Sequence, residues 1–136
     1  MKSAIEFHDS NVGSINQENN MLIVNFLELY IHESEGEPGV DAGTVWIQPA
    51  ELIIYNSQIS GDYPDFPSLL DGGDLQLEDK ILQNGAEIPL KFKGKARLLL
   101  EFFYGEKITI HGSEIELRLL DKPRFIENFP FPDKQL

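Results

Sequence analysis

KITIHGSEIELRLL, residues 107–120, decides the fold. If Gly112-Ser113 is the two-residue turn of a hairpin, with glycine at the first central position as a II′ turn requires, Ile110 faces Ile115 and Ile108 faces Leu117. One face of that hairpin is apolar. The other carries Lys107, Thr109, His111, Glu114, Glu116 and Arg118, the pattern of a sheet with one solvated side. His111 and Glu114 then form a surface cross-strand pair beside the turn.

The same period of two extends outward. Asn84-Gly85 is the strongest short turn dipeptide and predicts a second hairpin, with Ile81 opposite Ile88 and Leu77 opposite Phe92. MLIVNFLELYI (21–31) and KARLLLEFFY (95–104) are apolar at most positions and read as central strands covered on both faces. Gly43 to Tyr55 adds another strand, in which Pro49 marks a bulge or an edge. Short strands are expected at Ala4 to His8 and at Val12 to Asn16. No window shows a capped i, i+3, i+4 stripe. The expectation is therefore an all-β, single-domain β-sandwich or partly closed barrel of about eight or nine mostly antiparallel strands, with long loops and an extended C-terminal tail. Residues 1–120 form the β domain, and 121–136 a Pro/Phe-rich tail packed on it.

Two connections are long. NSQISGDYPDFPSLLDGGD (56–74) has no period and exceeds the usual length of a structureless loop. Tyr63, Phe66, Leu69 and Leu70 would pin it as a packed cover, with a binding lid as the alternative. HESEGEPGVDAG (32–43) is glycine-rich and acidic, and is expected to project as a negative rim. In the tail DKPRFIENFPFPDKQL, Pro123, Pro130 and Pro132 argue against a regular strand or helix. Phe125, Phe129 and Phe131 are expected to dock on the domain and shield a sheet edge.

Composition narrows the function. The 136 residues include no cysteine, so a disulfide framework and a thiolate zinc site are both impossible. The opening MKSAIEFHDS lacks the apolar run of a signal peptide, which gives a cytoplasmic expectation. The net charge of −12 disfavours nucleic acid and anionic membranes, because phosphate binding depends on lysine and arginine. The charge is also lopsided: Ser3 to Asp79 holds 15 acidic residues and no lysine or arginine, whereas Lys80 to Leu136 holds 10 basic and 8 acidic residues. Such a field suits a basic protein partner if the carboxylates share a face, and a merely solvated surface otherwise.

No motif specifies a reaction, and no cofactor is expected. His8 stands beside Asp9, and His32 beside Glu33 at the mouth of the acidic loop. If the first strand runs beside Met21 to Ile31, the two imidazoles and Asp41 would make a two-histidine, one-carboxylate metal site. The commoner arrangement is a pair of histidines bonded to local backbone. Neither Ser10 nor Ser34 sits in a nucleophile elbow. The carboxylates lack calcium-loop spacing, and Gly36, Gly39 and Gly43 lie among Glu35, Glu37 and Asp41, which would repel a phosphate. Trp46 shares a strand face with Gln48, Ala50, Leu52 and Ile54, which favours the core over a binding hot spot.

At Phe7-His8-Asp9-Ser10, at Ile31-His32-Glu33-Ser34-Glu35-Gly36 and from Gly39-Val40-Asp41 through Trp46, the chain resembles small bacterial β-rich proteins with an early HDS element and an IHxSEG-type loop. The resemblance spans roughly the first 50 residues and implies a loop site, with no activity attached. Some proteins of this build are similar to immunity proteins that neutralise secreted toxins. The leading expectation is a non-enzymatic binding protein that meets a basic partner through His8, Asp9, His32, Glu33, Glu35, Asp41 and Trp46. The alternatives are a metal-binding domain or metal-dependent enzyme using His8, Asp9, His32 and Asp41, and a structural subunit of a homo-oligomer.

Overall fold

Ten antiparallel strands account for all the regular structure in the computed structural model, which describes residues 1–130. They are β1 (Lys2–Glu18), β2 (Met21–Ser34), β3 (Gly43–Tyr55), β4 (Gln58–Gly61), β5 (Ser68–Leu77), β6 (Lys80–Gln83), β7 (Gly85–Ile88), β8 (Lys91–Phe102), β9 (Lys107–Leu119) and β10 (Arg124–Phe129). The pairings β1–β2, β2–β3, β3–β9, β9–β8, β8–β5 and β5–β1 close a six-stranded barrel. Of the two expected forms, a β-sandwich or a partly closed barrel, the barrel is the architecture found, with ten strands against the expected eight or nine. Among the described residues no helix is long and apolar enough to cross a membrane.

Closure follows from alternation. Leu22, Val24, Leu52, Ile54, Leu98, Leu100, Ile108 and Ile110 point inward from four strands and are fully buried together with Phe7 and Phe102. Each such side chain contributes about 1.5–3 kcal/mol by leaving water. A barrel this narrow is filled by its own side chains and leaves no lumen. β8 is covered on one face only, since Lys91, Lys93, Lys95 and Arg97 lie on its exposed side; the expectation of cover on both faces is corrected there.

Gly112-Ser113 is not a turn. β9 runs straight through it, pairing with β4 at Gln58↔His111 and with β3 at Tyr55↔Glu114. β3 and β4 thus lie end to end along β9, joined at Asn56, whose φ is 51° and whose Nδ2 donates to Ser113 Oγ at 2.8 Å. On the other side of β9 the register slips between Lys93 and Ala96, around Gly94 at φ 144°. The three positions form a barrel corner, where a bulge or glycine bends the sheet enough to close it. His111 consequently pairs with Gln58 and Arg97, and not with Glu114.

Asn84-Gly85 is not a hairpin turn either. The tight turn falls at Glu78-Asp79, where Leu77 pairs with Lys80, and Phe92 pairs with Ile115. Asn84, at φ 56°, instead carries the chain from β6 on one strand to β7 on another. Its N–H donates to Gly73 O at 2.8 Å, its carbonyl accepts from Phe7 N–H at 2.9 Å, and its Oδ1 accepts from His8 N–H at 3.0 Å.

The stretch 56–74 is mostly strand, with only residues 62–67 irregular between β4 and β5. Leu70 is buried and Phe66 packs on the core, but Tyr63 and Leu69 stay exposed. Pro49 does sit at a bulge, opposite the register shift between Phe26 and Leu29. The expectation of an irregular tail is overturned at Arg124–Phe129, which forms β10 on the edge of β3. Phe125 meets Trp46 edge-on, with centroids 5.4 Å apart. Phe131 lies outside the described residues.

Candidate functional site

Register assembles one face of the sheet. Glu87 of β7, Ala4 of β1, His32 of β2, Val45 of β3 and Glu127 of β10 form a single row across five neighbouring strands. Directly opposed residues project to the same side, so Glu87 and Glu127 flank His32 from both directions. In the next row Glu6 stands opposite Tyr30. Burial, and then the carboxylates of Asp9, Glu28, Glu127 and Glu6, push the Tyr30 phenol above its ordinary pKa, while Arg124, in the same row, pairs with Glu28 at 3.1 Å.

The β2–β3 connection folds back over that face. Ser34 Oγ donates to Ala42 O at 2.8 Å and accepts from Gly36 N–H at 3.0 Å, while Asp41 Oδ2 accepts from Glu37 N–H at 2.7 Å. At Gly43 a Cβ would run into the Glu33 carbonyl, so glycine is required where β3 begins. Gly39, at φ 82°, lies against the His32 ring. The expected free rim is therefore a flap, although Glu35, Glu37 and Asp41 keep exposed carboxylates.

Between this flap, β1 and the β6–β7 segment is a cleft of about 520 Å³. Glu6, Glu37 and Glu87 line it, with Pro38, Ile81 and Ala86 as apolar wall, and among the described residues no lysine or arginine lines it. His32 is its buried polar member, only 8% exposed. His32 Nε2 lies 3.1 Å from Glu6 Oε1, and Nδ1 has no hydrogen-bond partner among the described residues. The Phe129 ring meets the imidazole edge-on at 5.3 Å.

The other sequence candidates are dispersed. His8 projects from β1 four residues beyond Ala4, the partner of His32, which separates the two histidines by about 13 Å along the strand. His8 Nδ1 donates to Asp71 O at 2.6 Å, and Nε2 lies 3.5 Å from Asp9 Oδ1. The carbonyl of Asp71 raises the His8 pKa, partial burial opposes it, and the charges of Asp9, Glu6 and Asp71 add to the rise. Glu33 sits on the opposite face from His32 and accepts from Ser3 Oγ at 3.4 Å. Trp46 lies on the inner side, partly buried against the core, with Nε1 donating to Thr44 Oγ1 at 2.9 Å. Ser10 and Ser34 serve backbone groups: Ser10 Oγ donates to Glu6 O at 2.7 Å and accepts from Tyr30 N–H at 3.0 Å. Among the described residues no three of His, Asp and Glu are arranged to hold a metal ion. His8, Asp9, His32 and Asp41 are thus not brought together.

Sequence reading overlooked Glu6 and Glu87. The alternation Ala4, Glu6, His8 on one strand was the only signal for Glu6, and nothing local tied Glu87 to His32. No family model, no curated protein and no solved structure matches the chain.

Proposed function

We propose that this chain is a non-enzymatic binding protein whose acidic cleft receives a basic side chain of a protein partner. The observation that carries the reading is the lining: Glu6, Glu37 and Glu87 converge on one cleft that no lysine or arginine lines among the described residues. Glu6 already faces one nitrogen heterocycle, His32, in a geometry that suits an N–H donor. An ammonium on a long aliphatic stem matches both parts of the cleft, since its methylenes would cover Ile81 and Pro38 while its head meets the carboxylates. The acidic half of the chain would steer such a partner from a distance. A cysteine-free chain fits a reducing cytosol, and a toxin-neutralising immunity protein is one form that such a function takes among small acidic β-rich proteins.

The test is a residue-resolved NMR titration with an acetylated tetralysine peptide at two ionic strengths. Shifts should concentrate at Glu6, His32, Glu37, Gly39 and Glu87, and the affinity should fall as salt rises. Glu6→Gln and Glu87→Gln should each weaken it severalfold. Association that ignores ionic strength, or shifts that bypass the cleft, would refute the reading.

A further inference from the structure

A second groove lies away from the acidic cleft, between the connection 62–67 and the β8–β9 turn at Phe103–Glu106. It encloses about 320 Å³ and is lined by Pro64, Asp65, Leu69, Phe103, Tyr104 and Glu106 among others. Its aromatic side is unusually open: Phe103 is 63% and Tyr104 84% exposed. The two rings stand nearly perpendicular, at 86° with centroids 5.1 Å apart, so they form a corner and do not cover each other. The turn holding them is fixed by Phe102 N–H donating to Glu106 O at 2.9 Å and Phe103 N–H donating to Leu69 O at 2.9 Å. Beside that corner Glu106 Oε1 is buried without a hydrogen-bond partner among the described residues. Neither Glu106 nor Asp65 takes part in an ion pair among those residues. A carboxylate whose oxygen lacks a donor is a ready acceptor for an incoming charged N–H group.

We propose that this groove is a docking site for an arginine side chain of a protein partner. A guanidinium is planar, so it stacks on an exposed ring while its edge donates to the carboxylate; an ammonium does the second but not the first. The charge of the groove is complementary, with two carboxylates and, among the described residues, no cation lining it. The site is independent of the acidic cleft.

Residue-resolved NMR titration with N-acetyl-arginine amide tests it, with the citrulline and lysine analogues as parallel arms. Saturable shifts are expected at Leu69, Phe103, Tyr104 and Glu106. Citrulline, the uncharged isostere, should bind about tenfold more weakly, the loss expected when one charge-assisted hydrogen bond becomes neutral. Tyr104→Ala, at a fully wet position, should abolish the shifts, and Glu106→Gln should reduce affinity about tenfold by the same reasoning. Citrulline or lysine binding as well as arginine, or arginine shifts unchanged in both variants, would overturn the proposal. Shifts confined to Glu6, His32, Glu37 and Glu87 would also overturn it, while leaving the acidic-cleft reading intact.

Discussion

A methyl group on Gly112 would collide with Ile54 Cγ2 and come within 2.7 Å of the Tyr55 carbonyl oxygen. Glycine is needed there because β9 passes close to the junction of β3 and β4, a demand of close approach and not of a turn. Gly112→Ala should therefore cost about 1–3 kcal/mol, the usual penalty for overpacking, read from urea unfolding. A variant as stable as the parent would show that β9 does not press on the β3–β4 junction at this residue. His8 allows a signed prediction. Its pKa is raised above 6.5, first by its hydrogen bond to Asp71 O, so the folded chain holds the proton more tightly than the unfolded one. The stabilisation is fully present below pH 6.5 and is lost as pH rises through the folded value. NMR should show a His8 midpoint above 6.5, and the stability advantage over His8→Gln should shrink across that rise. A midpoint at or below 6.5 would contradict the geometry. The neighbour Asp9 was legible in the sequence; the Asp71 carbonyl, 63 residues away, was not.

At the scale of elements, Asn84 does the work that a hairpin turn was expected to do. It holds φ 56°, which asparagine tolerates, and its amide oxygen accepts from His8 N–H, so it fastens β1 to the β6–β7 crossing. Asn84→Ala loses the acceptor and strains the backbone, for about 1–3 kcal/mol, whereas Asn84→Gly loses only the acceptor and should cost less. Equal losses in urea unfolding would show that the left-handed backbone is not a constraint. The dipeptide Asn84-Gly85 did signal a change of direction, but whether the next strand pairs backward or onto β1 depends on which edge is vacant. β10 shows the converse. Pro123 and Pro130 bracket Arg124–Phe129, leaving six residues free to donate along an edge, so prolines that forbid a central strand are compatible with this one. By pairing with β3, β10 also covers an edge that would otherwise be open to another chain.

For the whole molecule, charge is the dominant surface property. With a net charge of −12 and few ion pairs among the described residues, the folded chain repels itself. Its melting temperature should rise when ionic strength is raised from very low to about 0.15 M, where the Debye length is about 8 Å. A flat or falling profile would mean that the carboxylates are compensated locally. Strand pairing brings residues far apart in the chain to one face, because β7, β1, β2, β3 and β10 put Glu87, His32 and Glu127 into one row. Alternation by itself determined that the chain is all-β, since a period of two buries one face of a strand and leaves the other wet, although it did not show that β8 has a wet face. The excess of carboxylates before Lys80 was equally plain. Only the tertiary structure decided which strands are neighbours, and therefore that Glu6 meets His32, that His8 does not, and that Phe103, Tyr104 and Glu106 border a groove with Asp65. Register is set by contacts between residues far apart in the chain, and no local pattern encodes those contacts.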